Sequence, residues 1–255
     1  MPVTTDLIEI KTSSEIEILK ECAKIVSEIL DKVKSQIKPG VSTKDLEEVA
    51  SRQMNKFDVE PAFLGYRGFP GKICTSINDE LVHGIPSEKK IIKEGDLVKI
   101  DIGIKHKGFY GDIAETVPVG NVSEDIKRLL EVTKNCFNEV IKFCYAGYRV
   151  GDISAAIQNY VEKNGFSVIR DFVGHGIGRV LHEKPEIPNF GKMGTGPVLT
   201  NGMVLAIEPM VSMGTWQVRI LPDGWTVQTV DNKMCAHYEH MIAITENSPQ
   251  ILTSF

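Results

Sequence analysis

One sequence pattern occurs twice in this chain at a constant offset, and this repeat restricts the possible folds more than any other feature. Residues 94–102 have the same form as residues 201–209, and residues 39–46 match residues 146–153, in both cases 107 positions further on. A constant offset over two separated segments indicates a chain built from two related halves. A single repeat excludes a solenoid, which needs about three or more stacked units. We therefore expect one domain, residues 1–255, with halves at about 14–120 and 121–245.

Each half contains a segment that predicts a strand ending in an acid. In residues 97–104, Val and Ile alternate with Lys99, Asp101 and Gly103, which is the period of a strand buried on one face. Residues 106–108 predict a turn, after which residues 109–117 return as a second strand. Asp101 and Asp112 then lie opposite or nearly opposite each other, with Cβ atoms about 5 Å apart for a direct pair. Two carboxylates at this distance repel each other unless a cation lies between them.

Two more acids and a histidine occur in comparable positions. Glu208 is the counterpart of Asp101 in the repeat, and Glu239 lies in a predicted strand, residues 237–245, that is otherwise largely apolar. His175 lies in a predicted glycine-rich loop, where glycines allow the backbone to approach a site closely. A charge inside an apolar strand is costly unless it is paired or binds a cation. Four carboxylates around one point need about two divalent cations for neutrality, and this oxygen-rich set with one imidazole suits Mn, Fe, Co or Zn.

Composition and charge exclude other classes of protein. The net charge of −5 and the isoelectric point of about 5.7 do not favour binding to DNA. No apolar run reaches the length of about 18 residues expected of a membrane-spanning helix, and residues 1–11 lack the apolar core of a signal peptide. The five cysteines form no Cys-x-x-Cys pair, which is typical of a reducing compartment. We therefore expect a cytoplasmic chain without a membrane partner.

Several short motifs, distributed over nearly the whole chain, resemble those of type I methionine aminopeptidases. These enzymes belong to peptidase family M24 and share the pita-bread fold with prolidases and aminopeptidase P. The resemblance implies an α+β fold in which two pseudo-symmetric halves form a curved antiparallel sheet covered by helices. The motifs are His83-Gly84-Ile85-Pro86, Lys99-Ile100-Asp101, Gly111-Asp112, Gly174-His175-Gly176-Ile177-Gly178, Glu208-Pro209 and Tyr238-Glu239-His240.

The resemblance implies a site with two divalent metal ions, of Co, Mn, Fe or Zn. It assigns Asp101 to one metal and His175 with Glu208 to the other, while Asp112 and Glu239 bridge them. A hydroxide held between the metals would attack the carbonyl of the first residue of a peptide. The free α-amine of the substrate would bind one metal, which restricts cleavage to the N-terminus.

The resemblance also implies roles for side chains around the metals. His182 would donate to the oxygen that becomes negative in the transition state, His83 would lie near the scissile amide, and Glu208 would also shuttle a proton. Six residues at positions that match the family's pocket would form an apolar pocket for the methionine side chain. Each of them could equally be an ordinary core residue. Phe63 stands where Cys is usual in the bacterial enzymes, and Leu181 stands where Phe is usual. The six pocket positions are Phe63, Tyr66, Phe69, Cys74, Leu181 and Trp225.

The implied activity is removal of the initiator methionine from nascent proteins and peptides, with a preference for a small second residue. The implied partners are nascent polypeptides whose N-termini begin with Met. The enzyme itself is expected to be a monomer. The ribosome is a further partner to consider, although no basic patch in this sequence supports it.

Three alternatives have different sequence requirements. An Xaa-Pro dipeptidase or aminopeptidase P usually has an added N-terminal domain, whereas only about 95 residues precede the hairpin here. A type II methionine aminopeptidase would carry a helical insertion between Glu208 and Glu239, which are only 31 positions apart. A non-catalytic pita-bread module that binds protein or ribosomal RNA would lose metal ligands, and this chain retains all five. Cleavage of Ala-Pro-Ala and the presence of bound metal would distinguish the first and third alternatives.

Overall fold

The computed structural model describes residues 7–253. Residues 1–6 and 254–255, which include part of the segment 1–11 and both ends of the predicted domain, lie outside the described residues. The α-helices are α1 Ser13–Lys34, α2 Thr43–Phe57, α3 Glu124–Val140 and α4 Val150–Lys163. The strands are β1 Glu60–Pro61, β2 Cys74–Ile77, β3 Leu97–His106, β4 Phe109–Pro118, β5 Ser167–Val168, β6 Val173–Gly176, β7 Glu183–Pro188, β8 Val204–Ile207, β9 Met210–Ser212, β10 Val218–Ile220, β11 Val227–Thr229, β12 Cys235–His237, β13 His240–Ala243 and β14 Gln250–Ile251.

The paired strands run antiparallel, and they form sheets that meet at the centre of the molecule. In the N-terminal half, β3 pairs with β4 along its full length, and its other edge pairs with β1 and β2. In the C-terminal half, one sheet has the order β14-β13-β8-β6-β7 and another has the order β12-β9-β5. An isolated bridge between Ala114 of β4 and Glu239, which lies between β12 and β13, links the two halves.

The offset of the sequence repeat is also present in the structure. The helices α2 and α4 begin at Thr43 and Val150, and the strands β3 and β8 begin at Leu97 and Val204, so both pairs of elements have the spacing of the repeat. The glycines of the repeat adopt matching left-handed conformations, and the isolated bridges recur at the same offset. The glycines are Gly40 with Gly147 and Gly95 with Gly202, and the bridges are Ser42–Ile91 and Arg149–Val198. The structure is therefore an α+β fold with two pseudo-symmetric halves.

Helices cover each half on its outer side. In the N-terminal half, Val26 and Leu30 of α1 and Leu46 of α2 pack in one apolar cluster with Ile100 and Ile102 of β3. In the C-terminal half, α3 packs against β9 and β12, and α4 packs against β5 and β7. Within residues 7–253, no helix combines the length and the hydropathy needed to cross a membrane. The two halves contact each other in the interior, where β4 packs against β12 and β13.

The prediction that β3 is buried on one face only was wrong. Lys99, on the face expected to be open, is 2 % exposed and donates from Nζ to the Asn78 carbonyl oxygen at 2.7 Å. The reason is that the second half of the chain covers this face. The hairpin turn lies where it was predicted but is one residue shorter, because His106 still belongs to β3. Its two residues, Lys107 and Gly108, both have positive φ, as in a type I′ turn.

Two other local predictions need correction. The predicted strand 237–245 is divided between β12 and β13, because Glu239 forms an isolated bridge to Ala114 of β4 and is not part of either strand. His175 lies on strand β6 and not on a loop, because glycine allows this strand to pass close to its neighbours. A Cβ atom at Gly174 would lie 2.5 Å from the Ala206 carbonyl oxygen.

Candidate active site

A cavity of about 580 Å³ is lined by side chains from both halves of the chain. It contains the titratable residues Asp101, Asp112, Glu208, Glu239, His83, His175 and His182, and the wall residues Phe63, Tyr66, Phe69, Cys74 and Trp225. Leu181 is the one predicted site residue that does not line it. Leu181 is 1 % exposed and lies behind the wall, in the same apolar cluster as Phe63 and Phe69.

The register of the strands explains how the four acids come together. Asp101 pairs with Ala114, and Asp112 pairs with Gly103, so the two aspartates are diagonal neighbours on one face of the hairpin and are not directly opposite each other. Ala114 also forms the bridge with Glu239, which places this acid beside both aspartates. Glu208 follows the last residue of β8 and enters from the second half.

His175 presents one nitrogen to these acids. Its Nδ1 lies 2.8 Å from the carbonyl oxygen of Gly176, so the Nδ1–H donates there and Nε2 keeps a free lone pair. Nε2 lies 3.7 Å from Oε1 of Glu208. Asp112, His175 and Glu239 each offer one atom that could bind a metal, a carboxylate oxygen or a ring nitrogen. These three atoms lie within 4.8 Å of one another. This set is suited to hold a divalent cation.

Burial makes the four acids costly to ionise without a cation. Desolvation raises the pKa of Asp101 and that of Glu208 to about 7, and it raises the pKa values of Asp112 and Glu239 well above their usual range. For Asp112 and Glu239, repulsion by the neighbouring acids adds to this effect. Oδ1 of Asp101 and Oε1 of Glu239 are buried without a hydrogen-bond partner among the described residues. Buried oxygens of this kind fit divalent metal ions, which would supply the missing positive charge.

The same burial predicts how stability depends on pH when metal is removed. Above pH 6.5 the raised carboxyl pKa values dominate: the folded protein binds more protons than the unfolded chain, and deprotonation destabilises it. Below pH 6.5 the buried His83 and His237, whose pKa values are lowered to about 4, oppose this trend. We expect Tm of chelated protein to fall on the order of 5–10 °C between pH 6.5 and 8.5.

Thermal unfolding followed by circular dichroism measures this fall. Addition of Mn²⁺ at pH 8.5 is expected to reverse most of it, since a cation stabilises the ionised carboxylates. The variant Asp101→Asn has one acid fewer and is expected to show a smaller fall. A Tm that rises with pH in the chelated protein would contradict this account.

His83 is held in an unusual backbone conformation at the edge of the cavity. Its φ is +58°, in the left-handed region that non-glycine residues adopt rarely. Gly84 next to it cannot be replaced without movement, because a Cβ atom there would lie 2.1 Å from the Thr75 carbonyl oxygen. Burial lowers the pKa of His83 to about 4, so the ring is neutral near pH 7.

His182 lies beside the acid cluster. Its ring centroid is 4.4 Å from that of His175, and its Nδ1 is 2.7 Å from the Tyr66 hydroxyl oxygen. The ring is exposed to the cavity but surrounded by protein, and this desolvation lowers its pKa, helped by the charges of His175 and Arg67. His182 is therefore a neutral imidazole with one nitrogen available to a bound molecule.

The apolar wall stands on one side of the acids. Phe69 and Trp225 meet edge to face, with ring centroids 5.2 Å apart. Phe63 packs over Gly103, where a Cβ atom would lie 2.5 Å from the phenyl ring, so glycine at this position makes room for the ring. Such a wall suits an apolar side chain of a bound molecule.

Sequence reasoning missed His237 and the polar rim of the cavity. His237 is 1 % exposed, and its Nε2 lies 3.3 Å from Oε2 of Glu208, so it contacts a proposed metal ligand. Its position two residues before Glu239 in an apolar strand was the only available signal. This rim comprises the remaining charged residues that line the cavity, which are Arg67, Asp171, Glu183, Lys184 and Glu186.

The fold and this site define a metallopeptidase with the pita-bread architecture. A model of metallopeptidase family M24 matches residues 17–246. Methionine aminopeptidase 1 of Bacillus subtilis is 51% identical over 247 residues, which cover 97% of this chain and 99% of that protein. The chain therefore belongs to metallopeptidase family M24 and, within it, to the methionine aminopeptidases. This confirms the resemblance seen in the sequence.

Solved structures separate this branch from the proline-directed branch. The crystal structure of methionine aminopeptidase from Thermotoga maritima matches with a TM-score of 0.96 and 50% identity, over 98% of this chain and 100% of that one. Xaa-Pro dipeptidase from Bacillus anthracis matches with a TM-score of 0.78 and 26% identity, over 96% of this chain and 62% of that one. The fold is thus shared with both branches, while the sequence lies much nearer to the first.

Proposed function

We propose that this protein removes the N-terminal methionine from peptides and nascent polypeptides in a metal-dependent reaction. The observation that carries the proposal is the buried cluster of four acids and His175, placed beside an apolar wall in one cavity. The cluster provides ligands for metal, and the wall provides a surface for an unbranched apolar side chain. The identity of 51% with a methionine aminopeptidase supports the same activity.

We propose further that the site holds two divalent ions, of Co, Mn, Fe or Zn. Asp101 would bind one ion, His175 and Glu208 the other, and Asp112 with Glu239 both. We propose two ions because the charge of two divalent cations balances that of four ionised carboxylates. Bound metal of this kind lowers the pKa of a water molecule and polarises a carbonyl group.

The protein's own side chains would orient the peptide and move its protons. In this proposal the wall binds the methionine side chain, and Glu208 accepts a proton from the attacking water and returns it to the leaving amine. His182 donates to the carbonyl oxygen as negative charge develops there, and His83 lies near the scissile amide. Phe63 and the buried Leu181 determine the shape of the methionine pocket, and the second residue of the substrate is small.

The setting of the reaction is also a proposal. We propose that residues 1–255 act as one catalytic domain, with halves at about 14–120 and 121–245, and that the chain is a cytoplasmic monomer. Nascent chains present their N-termini in that compartment, and the five cysteines are free and buried, as is typical of reducing conditions. Contact with the ribosome remains a prediction.

Peptide hydrolysis tests the activity directly. Metal-stripped protein is incubated with Met-Ala-Ser or Ala-Pro-Ala, with and without added Mn²⁺ or Co²⁺, and free amino acids are measured. We expect release of Met from Met-Ala-Ser only when metal is added, no cleavage of Ala-Pro-Ala, and loss of activity after renewed chelation. Cleavage of Ala-Pro-Ala instead would move the protein to the proline-directed branch. Absence of cleavage in folded, metal-loaded protein would favour a non-catalytic binding module.

A further inference from the structure

Tyr66 was predicted as a wall residue for the substrate side chain, but its hydroxyl group has a specific polar partner. Tyr66 Oη lies 2.7 Å from Nδ1 of His182, and the two ring centroids are 5.1 Å apart with the planes tilted by 47°. This distance is typical of a strong hydrogen bond. The contact joins the wall to the histidine beside the acid cluster, so Tyr66 belongs to both parts of the cavity.

The chemistry of the two groups indicates the direction of this hydrogen bond. A neutral imidazole carries its proton on one nitrogen only, and the other nitrogen is an acceptor. If the Tyr66 hydroxyl donates to Nδ1, the proton of His182 must be on Nε2. If instead Nδ1 carries the proton, Nε2 is a bare acceptor and cannot donate to a substrate oxygen. The partner at Nδ1 therefore decides whether His182 can act as a donor in the cavity.

The surroundings of Tyr66 favour the hydroxyl as the donor. The guanidinium of Arg67 lies over the Tyr66 ring, with its central carbon 5.5 Å from the ring centroid. The positive charge of Arg67 acts to lower the pKa of the Tyr66 phenol, which makes its O–H a better donor. Desolvation nevertheless keeps the pKa of Tyr66 above its usual value, so the hydroxyl retains its proton.

The loop that carries Tyr66 fixes the position of the hydroxyl. The backbone N–H of Tyr66 donates to the Phe63 carbonyl oxygen, and the N–H of Phe69 donates to the Tyr66 carbonyl oxygen, both at 2.9 Å. Gly65 and Arg67, on either side of Tyr66, have φ values of +77° and +50°. This compact turn holds the phenol in one place, as an orienting residue requires.

We propose that Tyr66 is a positioning residue, whose hydroxyl donates to Nδ1 of His182 and thereby fixes the tautomer with the proton on Nε2. In this form His182 faces the cavity as a hydrogen-bond donor before substrate arrives. His175 next to it has the opposite tautomer, since its Nδ1–H donates to Gly176 and its Nε2 stays bare. Two neighbouring imidazoles thus have different protonated nitrogens because their Nδ1 partners differ. The kinetic part of this proposal rests on the proposed function, whereas the tautomer does not.

Nitrogen NMR measures the tautomer independently of catalysis. Protein labelled with ¹⁵N at its 6 histidines is loaded with Zn²⁺, which is diamagnetic, and long-range ¹H–¹⁵N correlations identify the protonated nitrogen of each ring. The signals missing in His182→Ala assign His182. We expect a protonated Nε2 at His182 in the natural protein and a shift towards the other tautomer, or a mixture, in Tyr66→Phe.

The matched control is Tyr148→Phe, which removes the same hydroxyl from a tyrosine that does not line the cavity and packs against Phe143 and Tyr145. The His182 signals are expected to be unchanged in this variant. A protonated Nδ1 at His182 in the natural protein would overturn the proposal, and so would an unchanged tautomer in Tyr66→Phe.

Steady-state hydrolysis of Met-Ala-Ser tests the consequence. Tyr66→Phe is expected to lower kcat about tenfold, which is typical for loss of a partner that orients a functional histidine, with little change in KM. In a His182→Ala background the same substitution should have no further effect, because Tyr66 acts through His182. An equal loss in both backgrounds would show that Tyr66 acts independently and would overturn the positioning role. If the natural protein releases no Met at all, the proposed function fails, while the NMR result still decides the tautomer.

Discussion

Replacement of Glu208 by alanine is expected to lower kcat for hydrolysis of Met-Ala-Ser by about 10³-fold or more while the fold is retained. Glu208 combines two proposed roles, metal ligand and proton carrier, and loss of a general acid–base group alone typically costs 10²–10⁴-fold. Its carboxylate lies in the cavity, 3.7 Å from Nε2 of His175, and does not fill the apolar core. Removal of one buried acid also relieves repulsion among the other three, so Tm of the metal-free variant should not fall. Kinetics and thermal unfolding measure the two effects.

A second variant separates the proton-transfer role from the loss of side-chain volume. Glu208→Gln keeps the shape and one oxygen ligand but cannot carry a proton, and we expect a loss of at least about 10²-fold in kcat. As a surface control, Glu139→Ala removes an acid whose partner is the exposed Lys142, and its kcat should be unchanged. Unchanged turnover in Glu208→Ala, with metal content equal to that of the natural protein, would remove Glu208 from both roles.

The parts of the site that could be predicted from the residues depend on local periodicity and on the repeat. Alternation in β3, a turn at residues 106–108 and a return strand predicted that Asp101 and Asp112 lie close together across the hairpin, and the structure places them as diagonal neighbours on one face. The repeat then related Glu208 to Asp101 through the common spacing of β3 and β8. These inferences needed only short-range geometry and one symmetry assumption, and the structure agrees with them.

The remaining parts depend on contacts between distant segments. The break between β12 and β13 follows from the bridge of Glu239 to Ala114, and no local pattern in the apolar segment marks it. The burial of Lys99 follows from cover by the second half, and the alternation in β3 is compatible with an open face as well. His237 lies beside Glu208 for the same reason, because β12 approaches β8 only in the folded chain.

The contrast between His175 and His182 shows what the sequence leaves open even when both residues are identified. Both are histidines close to glycine-rich sequence, and their ring centroids are 4.4 Å apart. Their chemical roles depend on which group occupies Nδ1, a backbone carbonyl in one case and a phenol hydroxyl in the other. The partner of His182 could not be read from the sequence, since Tyr66 is 116 positions from His182.

The variant His182→Ala should lower kcat by about 10²–10³-fold and lower kcat/KM by the same factor. A donor that strengthens its hydrogen bond only as charge develops contributes to the transition state and not to ground-state binding, so KM should change little. The experiment is steady-state hydrolysis of Met-Ala-Ser by metal-loaded protein, with metal content measured in each variant. That measurement is needed because the His182 ring packs against His175, and a loosened His175 would weaken metal binding as well.

Two further variants distinguish donation from packing. His182→Gln places an amide N–H near the position of Nε2 and should recover part of the lost kcat, whereas a residue needed only for packing would gain nothing from this donor. His106→Ala removes a histidine whose partner is Glu21 on the surface, and its kcat should equal that of the natural protein. A normal kcat in His182→Ala would show that the developing charge is stabilised without this imidazole. In that case the hydrogen bond from Tyr66 would orient a wall residue and not a catalytic donor.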